Sequence, residues 1–134
     1  MIRSTRRLAK DPHKGVISQA RKQLAEIFEE SEQCVYIYLD DLNKVCNKRF
    51  ATLLGYKSPA EWAGVRDNFP EVFVSPQDRE TLVTTYQKAM NGLIGSTVPI
   101  AWRRKDGREV PSTTILVPIV YDGHRMALHF ITPE

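Results

Sequence analysis

The spacing of apolar positions changes several times along this chain, and each change marks an element. From Val16 to Glu30 they recur every three or four residues, at Ile17, Ala20, Leu24 and Ile27/Phe28, with Arg21, Lys22, Glu26, Glu29 and Glu30 between them. That is the period of an amphipathic helix. It is shorter than the roughly three to four heptads of an autonomous coiled coil, so its stripe must lie on its own domain or pair with a second copy. Cys34 to Leu39 is β-branched and aromatic, as strands are. Asp40 to Asn43 supplies turn chemistry, and Lys44 to Cys46 a short return strand. Asn47 reads as the N-cap of a helix carrying Phe50, Leu53 and Leu54, which Gly55 stops. Ser58-Pro59-Ala60-Glu61 is a capping box with Pro at the first helical position and Trp62 as anchor. Ser75-Pro76-Gln77-Asp78 opens a longer helix through Leu82, Val83, Tyr86, Ala89 and Met90, ending near Asn91-Gly92.

Beyond that point the period falls to two. Thr97 to Arg104 alternates, Asp106-Gly107 turns it, Val110 to Tyr121 is a long strand, and Asp122-Gly123 turns again into Met126 to Ile131. On the long strand Thr114, Leu116 and Pro118 face one way, and Thr113, Ile115, Val117 and Ile119 the other. A strand apolar on both sides implies a sheet covered on both faces. The middle helices cover one face; the N-terminal helix or a partner chain covers the other. The order predicts an α+β domain: a five-stranded antiparallel sheet with helices on one face, preceded by an amphipathic N-terminal helix. Its parts are a basic tail (1–15), the helix (16–31) and the domain (32–134).

Length and composition fit this picture. The chain of 134 residues is 42% hydrophobic and 26% charged, ordinary for one soluble globular domain. No apolar run reaches the roughly 20 residues of a membrane span, and the basic start is followed by no signal core, so a cytoplasmic protein is expected. Residues 1–15 hold five Lys/Arg against one Asp, while the remaining 119 residues sum to −1. That tail could hold nucleic acid by counterion release. It is short and has no aromatic for base stacking, so a solvated leader is the stronger expectation. Cys34 and Cys46 lack metal-ligand spacing and are expected as free thiols.

Five of these segments, in order, resemble the signature of the PAS family. They are Asn47 with Leu54-Gly55-Tyr56 and Glu61, Val74-Ser75-Pro76-Gln77-Asp78, Arg104-Lys105-Asp106-Gly107, Asp122-Gly123, and Ile131-Thr132. The resemblance covers about residues 28–132. It implies a sensory or signalling module that binds a small organic ligand or dimerises, feeding an effector domain or partner protein outside this chain, as in two-component regulation. Phe130 stands where the family's terminal motif has an Asp that tethers the exit linker, which shifts the relay toward the N-terminal helix. With the sequence stopping at Glu134, either a stand-alone module or a segment of a longer sensor is expected.

The chemistry is sparse. His124 follows a turn, and His129 reads as opposite a Met126-Leu128-Phe130 face, pointing to the N-terminal cover. Neither is spaced from a nucleophile as a base would be, and no P-loop or Cys/His array occurs, so no enzyme is expected. Haem-binding relatives use a histidine on the long helix, and Asp78 to Asn91 has none. Cysteinyl-flavin relatives need an Asn-Cys-Arg-Phe-like motif, and Asn47-Lys48-Arg49-Phe50 has Lys in the Cys position. Non-covalent flavin stays open. The ligand-binding candidates are Phe50, Leu54, Phe69, Phe73, Leu82, Tyr86, Ile100, Trp102, Thr114, Leu116 and Leu128, with Val98 and Phe130 beside them; a plain core is the competing expectation for each. Tyr86 and Trp102 bring polar handles that need partners when buried. The expected homodimer interface is Ile17, Ala20, Leu24, Ile27, Phe28, Ile115 and Val117. The alternative is an interaction domain with a filled core and no ligand.

Overall fold

The computed structural model describes residues 14–134; His13 and all but the end of the basic tail lie outside them. Helices α1 (Lys14–Gln23) and α2 (Ala25–Glu30) precede strands β1 (Cys34–Asp40) and β2 (Asn43–Cys46). Then come α3 (Lys48–Leu53), α4 (Pro59–Ala63), α5 (Phe69–Phe73), a 3-10 turn (Pro76–Asp78) and α6 (Arg79–Gly92). The last three strands are β3 (Ser96–Arg103), β4 (Glu109–Tyr121) and β5 (His124–Pro133). The sheet runs β2-β1-β5-β4-β3, and every neighbouring pair is antiparallel. The α+β architecture expected from the sequence is therefore present.

Local chemistry explains the elements. The Asn47 side chain accepts from the Phe50 amide at 3.0 Å and the Val35 amide at 3.1 Å, and donates to the Gln33 carbonyl at 3.0 Å. One buried amide thus caps α3 and fastens it to β1. Ser58 caps α4 by accepting from Glu61 N at 3.0 Å, while the Glu61 carboxylate accepts from Lys57 N at 2.7 Å. The Asp78 carboxylate accepts from Ala101 N at 2.7 Å, pinning the start of α6 to β3. Asp122 and Gly123 both take positive φ, 50° and 77°, as a tight hairpin turn requires.

Segments far apart in sequence meet around Gly55, whose φ is 85°. Lys105 N donates to Leu54 O at 2.7 Å, Arg104 Nη1 to Leu53 O, and Lys105 Nζ pairs with Glu61 at 3.0 Å while lying over the Tyr56 ring. Carbonyls left open at the end of α3 are thereby satisfied by the β3–β4 hairpin. These motif residues hold the fold together.

The two faces of the sheet carry different cores. On the inner face Tyr36, Phe50, Trp62, Phe69, Phe73, Ile100 and Trp102 pack beneath α3–α6. On the outer face Val35, Ile37, Leu39, Met126 and Leu128 pack against Ile17, Ala20 and Phe28 of the N-terminal helices. The single helix expected over Val16–Glu30 bends at Leu24 (φ −106°, ψ 22°), and Phe28 stays buried beyond the bend.

Candidate functional site

Strand parity decides what faces the helices. Tyr36 and Tyr38 of β1 point inward, and β1–β5 pairing sets Tyr36 directly opposite His129. The two rings stack at a centroid distance of 3.9 Å and an angle of 9°. This corrects the sequence reading of β5. Leu128 and Phe130 pack in the outer cluster, and His129 is the residue that faces in. Both faces of β5 are apolar enough to be buried, so alternation could not say which is which. The pairing register does.

Beside the stack lies a cavity of about 250 Å³, lined by Tyr36, Tyr38, Asp41, Asn68, Phe69, Pro70, Leu82, Val83, Tyr86, Gln87 and His129. Its aromatic walls are mutually braced: Tyr38 meets Phe69 edge-on at 5.1 Å and Tyr86 edge-on at 5.3 Å, and Tyr36 stacks on Phe69 at 5.5 Å. Asp41, from the β1–β2 turn, accepts the Tyr38 hydroxyl at 2.8 Å and the Phe69 amide at 3.2 Å. The turn is thereby tied to the start of α5, where Asn68 caps the helix by accepting from Glu71 N at 3.3 Å. The Tyr86 hydroxyl donates to Leu39 O at 3.4 Å. Tyr36 is 1% exposed, and its ring forms part of the lining.

Charge at the site follows from burial. Desolvation pushes His129 down to about 3, so the ring is neutral at physiological pH. Its Nδ1 lies 3.1 Å from the Ala127 carbonyl oxygen, which can only accept. That contact favours a proton on Nδ1, and the Tyr36 backbone is a second partner of the ring. Burial raises the Tyr38 and Tyr86 hydroxyls, and the Asp40 and Asp41 carboxylates raise both further. No lysine or arginine lines the cavity.

Of the eleven ligand-binding candidates, Phe69, Leu82 and Tyr86 line this cavity. Phe50, Leu54, Phe73, Ile100 and Trp102 are packed into the aromatic core, Leu116 lies against Ala89 and Ala127, and Val98 packs at the edge of the aromatic core. The Trp102 indole N–H donates to Ser112 Oγ at 2.9 Å, beside Thr114 Oγ1 at 3.3 Å, and Ser112 in turn donates to Ile100 O at 2.8 Å. That polar handle is consumed within the core. Tyr36, Tyr38, Asp41, Asn68 and His129 escaped the sequence reading. Asn68 with Glu71 three residues on is an N-cap signature that would have found α5 and one wall of the cavity.

The interface candidates divide as well. Ile17, Ala20 and Phe28 are buried in the domain's own outer cluster, with Leu24 and Val117 half-buried against it. Ile27 and Ile115 remain 36% and 38% exposed. Cys34 and Cys46 are buried free thiols, pushed up to about 11 and about 12 by desolvation. Among the described residues no cluster of His, Cys, Asp and Glu could hold a metal, and no helix is long and apolar enough to cross a membrane.

No known family profile matches the sequence, and neither does any curated protein. Solved structures do match. The PAS domain of a Colwellia psychrerythraea protein superposes with a TM-score of 0.66 at 21% identity, over 84% of this chain and 95% of that one. The PAS domain of an HTR-like protein from Haloarcula marismortui gives 0.61 at 17% identity, over 90% of this chain and 96% of that one. A structure of VqmA bound to DPO gives 0.63 at 12% identity, over 84% of this chain and 57% of that one. Strand order, helix placement and these superpositions agree: the chain has the PAS fold.

Proposed function

We propose that this chain is a sensory module that holds a small organic ligand in the cavity between β1, α5 and α6, catalyses nothing itself, and self-associates to relay occupancy to an effector. The observation that carries the reading is a chamber walled by Tyr36, Tyr38, Phe69 and Tyr86, with Asp41 and His129 as polar groups of its lining. VqmA, which shares the fold, is bound to DPO in its solved structure. The cavity of about 250 Å³ has room for about eight waters at ~30 Å³ each, near the lower limit for ligand pockets. A one-ring ligand fits that space; a haem or a three-ring flavin exceeds it.

Absorption and native mass spectra of the purified protein test this. The expected result is a colourless low-mass adduct that Leu82→Trp, which fills the cavity, abolishes. An adduct-free protein whose stability rises in Leu82→Trp, and which binds no small molecule, would sink the ligand reading.

A second reading is an interaction domain with a filled core. It is favoured by the candidates, among them Phe50, Phe73, Ile100 and Trp102, that are solid core. Both readings use the same association surface, in which Ile27 and Ile115 flank half-buried Val117 and Phe130 on the outer side. Light scattering of intact protein against Ile115→Asp checks it, with a dimer expected to give way to monomer. Deleting the N-terminal helices would be uninformative, because it would strip the cover from Val35, Ile37 and Leu128.

A further inference from the structure

We propose that the ligand of this cavity is a small organic cation: a protonated amine carrying an apolar body about one ring in size. The inference rests on the ligand-binding reading above and adds the charge class. Each lining group bears on it. Tyr36, Tyr38, Phe69 and Tyr86 present aromatic surface, whose faces attract cations. Asp41 is the ionisable acid of the lining; one of its oxygens serves Tyr38 and Phe69, so the other is open to a ligand. His129 enters the lining as a neutral ring, and the Tyr36 hydroxyl oxygen is a group that can accept.

No cation lines the cavity to receive a carboxylate or phosphate. Lys44, the nearby buried lysine, is not part of the lining; its Nζ is engaged by the carbonyls of Asp41, Ala63 and Val65. Asp40 adds a second carboxylate from the same turn; the pair raises the Tyr38 and Tyr86 hydroxyls of the walls and also acts on Lys44 outside the lining. An anion entering here would lose its hydration and meet acceptors and a carboxylate. An ammonium would meet acceptors, a counter-charge and aromatic faces.

Three near-isosteric probes separate the classes at pH 7: benzylamine as the cation, benzyl alcohol as the neutral form and benzoate as the anion. Binding is read by calorimetry and by amide chemical shifts of β1, α5 and α6 in the full chain. Benzylamine should bind at least about tenfold more tightly than benzyl alcohol, and benzoate not measurably. Asp41→Asn keeps an acceptor oxygen for Tyr38 and Phe69 but removes the charge, so it should erase the tenfold preference of benzylamine over benzyl alcohol. Equal binding of benzylamine and benzyl alcohol, or tighter benzoate, would overturn the cation assignment while leaving the pocket reading intact. If none of the three shifts a cavity resonance at millimolar concentration, the cavity is closed and both readings fall.

Discussion

The two faces of this sheet are built on different terms. The inner face is aromatic and pinned by buried polar groups: Trp102 on Ser112, His129 on the Ala127 carbonyl, and Lys44 on three carbonyls across from Trp62 and Phe73. The outer face is aliphatic, and its cover is two short helices that place Ile17, Ala20 and Phe28 on it. Aromatic packing held by such hydrogen bonds specifies one arrangement, whereas aliphatic packing beneath a short helix tolerates sliding and detachment. Rigidity lies on the side with the cavity. Adjustability lies on the side proposed to meet a partner.

The largest effect should come from breaking the inner face. Trp102→Ala removes a fully buried ring and the donor that the Ser112–Thr114 hydroxyl pair accepts from, so about 3–5 kcal/mol of unfolding free energy is expected to be lost in urea titration. Its outer counterpart, Phe28→Ala, should cost no more than about 2–3 kcal/mol. Hydrogen exchange should then speed up in α1 and α2 while inner-strand amides stay protected. Equal losses, or exchange spreading to the inner strands, would erase the contrast.

Asn47→Ala comes next, at about 2 kcal/mol, because one side chain both caps α3 and holds β1. Asn47→Asp, which keeps the acceptor, should recover part of it by the same titration.

Lys44 supplies a pH test of the inner side. The side chain is 3% exposed, and desolvation lowers it to about 8 from its ordinary 10.5. Below pH 8 both states are protonated and the cost of burying the charge is constant. Between pH 8 and about 10 the unfolded state keeps the Lys44 proton that the folded state loses, so Lys44 by itself adds about 1–2 kcal/mol of stability after allowance for screening; the Cys34 and Cys46 thiols, raised to about 11 and about 12 from 9.0, ionise first when unfolded and subtract from it above about pH 9. Above pH 10 it should fall, because Tyr38, Tyr56 and Tyr86 are all raised in the fold and ionise first when unfolded. Between pH 8 and 10 the stability of wild type relative to Lys44→Met should rise by that amount; parallel pH profiles would remove Lys44 as its source. Smallest of all, Ile115→Asp should change stability by under about 0.5 kcal/mol, and its effect should appear in the association state.

The sequence made some of this readable and withheld the rest for physical reasons. Asn47, Ser58 and Asp122-Gly123 act on backbone groups a few residues away, so their chemistry shows in a short window. The inward turn of His129 depends on a partner in the first half of the chain, and no window contains both. Asp41 looked like a turn residue and is one, but one of its carboxylate oxygens reaches Tyr38 and the first amide of α5, far outside the turn. Trp102 was legible as a buried indole needing a partner, while the identity of that partner, Ser112, came from the β3–β4 register.

The Tyr36–His129 stack sits on strands that serve both faces. Val35 and Ile37 flank Tyr36, and Leu128 and Phe130 flank His129; all four point to the outer cluster. Neighbouring residues of one strand share a pleat and cannot shift independently. A molecule that presses on the stacked pair therefore works the sheet as a lever two residues wide, with its far arm already resting under Phe28.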